Sequence, residues 1–121
     1  ALNIPVVLLE GCADPYSHKV VRSSMGAAFR VPVVQTDWQS AQAACREAGI
    51  PVAVTALSDR AEDIRNAKLS ELAVVIGSEG RGVRQEILEA ADRELIIPMN
   101  PRCESLNAAV AATIVMWQMK R

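Results

Sequence analysis

With 121 residues, half of them hydrophobic and 22% charged, the chain can bury one core and is neither a disordered tail nor a multi-domain enzyme. Thirteen Lys and Arg against fourteen Asp and Glu give a formal charge of −1, so no basic excess points to a nucleic-acid backbone. Only 3% of the residues are aromatic, which favours tightly packed α/β layers of Ala, Val, Leu and Ile over an aromatic-rich β-sandwich.

Along the chain, short β-branched runs alternate with helical patterns, the signature of a mostly parallel sheet flanked by helices. Val6 to Glu10 reads as a first, buried-looking strand ending at Gly11. A turn at Asp14, Pro15 and Tyr16 leads to Ser17, the expected N-cap of a short helix through Val20, Val21 and Met25 that Gly26 would close. Val31 to Gln35 is the second strand. Asp37 then caps a helix with Trp38, Ala41, Cys45 and Ala48 on one face, stopped by Gly49. Val52 to Thr55 is the third strand, and Ser58 is expected to cap a short polar helix containing Ala61, Ile64 and Ala67. The unbroken apolar run Leu72 to Ile76 predicts a fully buried central strand entering Gly77. A helix from about Val83 to Ala91, a strand at Leu95 to Ile97, a loop from Pro98 to Glu104 and a helix from Ser105 to Lys120 complete the pattern. That last helix is apolar nearly all round, from Ala108 through Trp117, so one side is expected on the sheet and another on a partner chain, a hint of a dimer.

Cys12, Cys45 and Cys103 are odd in number, form no C-x-x-C pair and stand beside a single histidine. Reduced, buried or half-buried thiols in a cytosolic protein are expected, with neither a disulfide framework nor a metal site. The longest apolar stretch, Ala108 to Trp117, is well short of the ~20 residues that span a bilayer, and no signal segment opens the chain, so a soluble, non-exported protein is expected. The opening Ala1, Leu2, Asn3, Ile4, Pro5 lacks an initiator Met and reads as the middle of a longer protein.

Two segments have the makings of a site. Val74 to Gly82, ending in Gly77, Ser78, Glu79, Gly80, Arg81 and Gly82, is a strand, a glycine-rich turn and a helix start, at the carboxyl end of a strand where open α/β sheets bind ligands. Its G-x-x-G-x-G order matches neither a dinucleotide fingerprint nor a P-loop. It is either a plain tight turn or a ligand loop, and Glu79 would repel a phosphate, leaving neutral, cationic or hydroxyl-bearing ligands. The second segment, Ile97 to Asn107, is a proline-stiffened loop leading to a helix that Ser105 would cap, or the wall of a site that uses Asn107, an amide in need of a partner.

The strand-loop V-V-I-G-S-E-G-R-G-V (Val74 to Val83) and I-P-M-N-P-R-C-E-S-L-N-A-A-V-A (Ile97 to Ala111) resemble the second and third signature motifs of the SpoU/TrmH family, within the SPOUT superfamily of S-adenosylmethionine-dependent RNA ribose 2′-O-methyltransferases. The stretch K-V-V-R-S-S-M-G-A-A-F-R-V-P-V (Lys19 to Val33) resembles the region joining the family's early strands, so the resemblance covers nearly the whole chain. It implies an α/β knot, a deep trefoil in which the C-terminal segment threads a preceding loop, and which forms the pocket for S-adenosyl-L-methionine. By position, Thr55, Ala56 and Leu57, then Gly77, Ser78, Glu79 and Gly80, then Ile97, Pro98 and Met99, and finally Ser105, Leu106 and Asn107 would line that pocket. Glu79 and Asn107 would be the polar groups at the reacting centre. Lys19, Arg22, Arg30, Arg81 and Arg102 are candidates for contact with ribosomal or transfer RNA, unless they are simply solvated surface charges. A homodimer through the final helix is also implied.

The family's first motif, which bears the arginine that activates the ribose hydroxyl, would lie before Ala1, and an N-terminal RNA-recognition extension is missing as well. The Gly usual after I-P-M is replaced by Asn100, Pro101 and Arg102. Residues 1–121 therefore read as the catalytic domain of such an enzyme without its first motif, able to bind the cofactor but impaired in methyl transfer. The alternatives are a non-catalytic α/β binding module of flavodoxin or receiver type, for which no acidic cluster at strand ends is evident, and a silent family member that binds RNA or a partner.

Overall fold

The structure is a computed structural model that describes residues 2–78, 80–103 and 106–121. The chain divides into two compact units, the first ending at Ala44 and the second running Cys45–Arg121.

In the first unit, β1 (Val6–Leu8) pairs in parallel with β2 (Val33–Gln35), with Val6 opposite Val33 and Leu8 opposite Gln35. Between them lie α1 (His18–Ser23) and a 3₁₀ turn at Ala27–Phe29. The Ser17 hydroxyl accepts the Val20 N–H at 3.3 Å, the expected N-cap. Gly26 does not close this helix. It ends at Ser23, after which Met25 (φ 53°) and Gly26 (φ 85°) take left-handed conformations that turn the chain into the 3₁₀ segment. β1 and β2 are also less covered than a buried strand, with Val7 and Val34 more than half exposed. α2 (Trp38–Ala48), within which the first unit gives way to the second, begins after Asp37, whose carboxylate accepts the Ser40 N–H at 2.7 Å, and stops at Gly49 with φ 70°.

In the second unit, β3 (Val52–Thr55), β4 (Glu62–Asp63), β5 (Ala73–Val75) and β6 (Arg93–Ile96) form a parallel sheet in the order β4-β6-β3-β5. α3 (Gln85–Ala90) and α4 (Ala108–Lys120) complete it. Thus the fold is α/β with parallel sheets flanked by helices. The central strands are β3 and β6; Val52, Ala53, Val54 and Leu95 are buried, and Asp92 ties the two strands at their start by donating its N–H to the Val52 carbonyl and accepting the Val52 N–H. Ala53, Ile64, Leu69, Leu72 and Leu95 form the core cluster, against which Ile97, Ile114 and Met119 pack.

Three expectations are corrected here. The run through Leu72–Ile76 is a strand, but β5 stands at one end of the described sheet and is half-buried, because β3 and β6 take the middle. The polar helix after Ser58 does not form. Glu62 and Asp63 pair instead with Leu95 and Ile96, and the Asp63 carboxylate accepts the Arg65 N–H at 2.9 Å, a local bond that competes with helix. This arrangement buries Ile64 and Leu69, which no exposed polar helix would do. Finally, α4 starts at Ala108 and its N-cap is Asn107, whose side-chain oxygen accepts from Ala109 N at 2.9 Å and Val110 N at 3.3 Å. The thiols differ too: Cys12 and Cys103 are exposed and Cys45 is half-buried.

Candidate functional site

Three adjacent parallel strands, β6, β3 and β5, end on the same side of one sheet, so the segments that follow them are brought together by topology. After β3 come Thr55, Ala56 and Leu57. The Ala56 N–H donates to the Leu95 carbonyl at 2.9 Å, and the Thr55 hydroxyl donates to the Val75 carbonyl at 3.4 Å, which fixes this end of β3 to both neighbours. Leu57 is 67% exposed, an apolar side chain presented to solvent beside the strand ends.

After β5 the chain makes a turn that only glycine can begin. Ser78 and Gly82 exchange backbone hydrogen bonds, at 3.3 and 2.9 Å, and Gly80 and Gly82 have φ of 82° and 69°. A Cβ on Gly77 would sit 2.4 Å from the Gly82 carbonyl carbon and 2.6 Å from the Val83 nitrogen, so the folded-back loop leaves no room for a side chain there. The absence of a side chain is what lets the Gly82 and Val83 backbone close onto Gly77. Gly77, Ser78 and Gly80 are therefore held as a unit, while Glu79 lies outside the described residues.

After β6, Ile97, Pro98 and Met99 leave the sheet, and the Asn100 side chain accepts the Arg102 N–H at 2.9 Å, closing a turn in the proline-containing loop. Ser105 lies outside the described residues. Leu106 is half-buried and Asn107 is exposed at the start of α4. The oxygen of Asn107 is committed to its own helix, so the partner that this amide needs is found locally.

Beside the strand ends, an open apolar groove of about 410 Å³ is lined by Ile64, Arg65, Ile97, Pro98, Thr113, Ile114, Trp117 and Gln118. Among the expected pocket residues only Ile97 and Pro98 reach it. Ile64 and Arg65, expected within a polar helix after Ser58, line it because that segment pairs with β6, and the sequence signal for this is the apolar pair Ile64 and Leu69 among charged neighbours. The Asp63 carboxylate holds the Arg65 guanidinium at 2.6 Å, and this pairing keeps the Asp63 carboxyl below the usual carboxylate range.

Of the candidate cations, Lys19, Arg22 and Arg30 belong to the first unit and Arg81 and Arg102 to the second, and all are exposed. Arg30 donates to the Met25 carbonyl at 2.9 Å and so braces its own turn. Among the described residues no helix is long and apolar enough to cross a membrane.

Residues 1–117 match the SpoU rRNA methylase family. The chain is 36% identical over 115 residues to the 23S rRNA (guanosine(2553)-2′-O)-methyltransferase RlmP of Bacillus subtilis, covering 95% of this chain and 46% of that protein. Among solved structures, the AdoMet-bound rRNA methyltransferase from Sinorhizobium meliloti superimposes with a TM-score of 0.87 at 29% identity, over 97% of this chain and 45% of that one. The SpoU methyltransferase AviRb from Streptomyces viridochromogenes in complex with AdoMet gives 0.82 at 28% identity, over 99% and 50%. The chain thus spans about half the length of these relatives.

Proposed function

Because the chain belongs to the SpoU rRNA methylase family, we propose that it binds S-adenosyl-L-methionine at the carboxyl ends of β6, β3 and β5 and serves methyl transfer to a ribose 2′-hydroxyl of ribosomal or transfer RNA in the cytoplasm. The observation that carries this reading is the Gly77 turn. A residue with no space for a Cβ, followed by a loop folded back on it, leaves β5 next to β3, whose other neighbour is β6, and this strand order supports a site shared by the three segments that follow. Main-chain groups of Ala56, Leu57, Gly77, Ser78 and Gly80, with the apolar side chains of Leu57, Ile97 and Met99, suit a cofactor that joins a flat heterocycle to a small polar tail. When bound, the cofactor supplies an electrophilic methyl whose bond to sulfur breaks as a bond to the ribose oxygen forms, and the hydroxyl proton leaves to a base.

Thr55, Ala56, Leu57, Gly77, Ser78, Gly80, Ile97, Pro98, Met99, Leu106 and Asn107 hold and orient. None of these described residues has a titratable side chain, and Glu79 is the one carboxylate that the resemblance adds. We read the 121 residues as a cofactor-binding catalytic domain that transfers methyl groups poorly by itself. Asn107 is a positioning residue, fixing the loop after β6 to the start of α4. Glu79 and Ser105 complete the set by resemblance. The family's trefoil knot and its homodimer belong to the same reading, the dimer through α4, which leaves Val110 47% and Trp117 63% exposed on an apolar helix. Lys19, Arg22, Arg30, Arg81 and Arg102 would meet the RNA backbone.

Calorimetric titration of the purified chain with S-adenosylhomocysteine tests this. Saturable binding is expected, weakened at least tenfold by Gly77→Ala, with Asn107→Ala weakening it less. A folded chain that does not bind, or a Gly77→Ala variant that binds like its parent, overturns the assignment of the pocket. Methylation of RNA by the isolated chain at the rate of a full-length relative would sink the reading that it is impaired.

A further inference from the structure

The chain has one tyrosine and one phenylalanine, and they are stacked on each other at the surface. The ring centroids of Tyr16 and Phe29 lie 6.0 Å apart with their planes 19° from parallel, while the two residues are 52% and 69% exposed. Rings of this size contribute more apolar area to a core than any aliphatic side chain, yet here both stay in solvent, as Trp117 does elsewhere in the chain.

Built turns hold both. The Asp14 carboxylate accepts the Tyr16 N–H at 2.9 Å. Phe29 sits in the 3₁₀ turn, where the Ser24 hydroxyl accepts the Ala28 N–H at 3.3 Å and Arg30 grips the Met25 carbonyl at 2.9 Å. Met25 itself is 85% exposed and adds a polarizable apolar neighbour to the same turn. Charge supplies the second line of argument. In a chain of net charge −1, the stretch from Asp14 to Val31 holds Lys19, Arg22 and Arg30 against the single acid Asp14. An exposed aromatic pair in a locally cationic segment is the combination that binds single strands, since every base has a face to stack and every linkage has a phosphate to neutralise.

We propose that Tyr16 and Phe29 form a stacking platform for an unpaired base of RNA, with Lys19, Arg22 and Arg30 meeting the phosphates on either side of it. The platform lies wholly in the first unit, whereas the proposed cofactor loops belong to the second. It rests on the reading of the chain as an RNA-directed methyltransferase domain and adds to it the surface that takes the strand.

The test is fluorescence anisotropy of the purified chain with a short labelled oligoadenylate at several salt concentrations, alongside titration with S-adenosylhomocysteine. Tyr16→Ala and Phe29→Ala are each expected to weaken RNA binding about tenfold without changing its salt dependence, and Tyr16→Trp to retain it. Lys19→Gln should lower the slope of log affinity against log salt by about 0.7, the value for one phosphate contact on a single strand. All four variants should bind S-adenosylhomocysteine like the parent.

RNA binding that survives both alanine changes overturns the platform, as does weakening that only tracks a loss of fold by circular dichroism. In that case the rings serve as a clasp between α1 and the 3₁₀ turn, or meet an apolar protein surface. A parent chain that binds S-adenosylhomocysteine but no oligoadenylate also overturns it while leaving the cofactor reading intact. Ring-dependent RNA binding without S-adenosylhomocysteine binding would do the reverse.

Discussion

The β1–β2 pair and the β3 strand are made of the same β-branched and small apolar residues, yet Val7 and Val34 are 52% and 55% exposed while Val52, Ala53 and Val54 are at most 6% exposed. Hydrogen-bonding neighbours differ before side chains do. β3 has a strand on each edge, β5 and β6, and Ala53 joins a cluster with Ile64, Leu69, Leu72 and Leu95. Among the described residues β1 and β2 pair only with each other. Residue type marks both as strands, and the number of elements stacked around each decides how much water is removed.

The sharpest way to break this contrast is a pair of truncations. Leu95→Ala, at a position with no exposure in the centre of the larger sheet, is expected to cost about 2–5 kcal/mol, because the cavity adds to the lost transfer energy. Val7→Ala in β1 should change stability by no more than about 0.5 kcal/mol. Urea unfolding of both variants checks this. Equal losses would mean that the exposed faces of β1 and β2 are covered in solution.

A smaller effect is expected where α4 begins. Asn107→Ala removes the acceptor for two helix N–H groups and should cost about 0.5–2 kcal/mol, with Asn107→Asp restoring most of it. Thermal unfolding reads both. Since Ile114 and Met119 of α4 pack against the core cluster, loosening the cap is felt in the larger sheet and not at β1. A variant that melts with its parent would assign Asn107 to the ligand alone.

What was legible in the residues, and what was not, follows the same division. The strands at Val52–Thr55 and Val33–Gln35, the Asp37 cap and the Gly49 stop were readable, because periodicity and capping act within a few residues. So were the turn after β5 and the loop after β6, since both carry glycine or proline punctuation, and the resemblance to the family rested on these same segments. β4 was not readable. Glu62 and Asp63 have poor strand propensity, and only pairing with Leu95 and Ile96, more than thirty residues on, makes them a strand. The place of β5 at the end of the described sheet was equally hidden, because an apolar run gives burial without strand order. Nor did a few residues of context show that the helix cap would pass from Ser105 to Asn107.

The smallest expected effect compares one local carboxylate in each unit. Asp37, in the first, is held below the usual carboxylate range first of all by the Ser40 backbone N–H, and Asp63, in the second, first of all by the side chain of Arg65. A folded-state pKa below the unfolded one means that the unfolded chain takes up the proton first. The stabilisation is therefore complete above the ordinary carboxylate range, and it is lost as pH falls through each depressed value. Nothing should change between neutral pH and the start of that range. Asp37→Asn keeps an acceptor for the Ser40 N–H but has no proton to gain, so the acid limb of its stability curve should be shallower than the parent's. Asp63→Asn should flatten the limb in the same sense and lower stability at neutral pH as well, because the charged fork with Arg65 is gone. Asp37 is exposed, and the Asp63 pair reaches solvent through Arg65, so salt should shrink the Asp63 difference while leaving the Asp37 cap nearly unchanged. Acid titrations at low and high salt would separate the two: an Asp63 effect insensitive to salt would assign it to the hydrogen bonds of the turn that puts Ile64 into the core, and not to the charge pair.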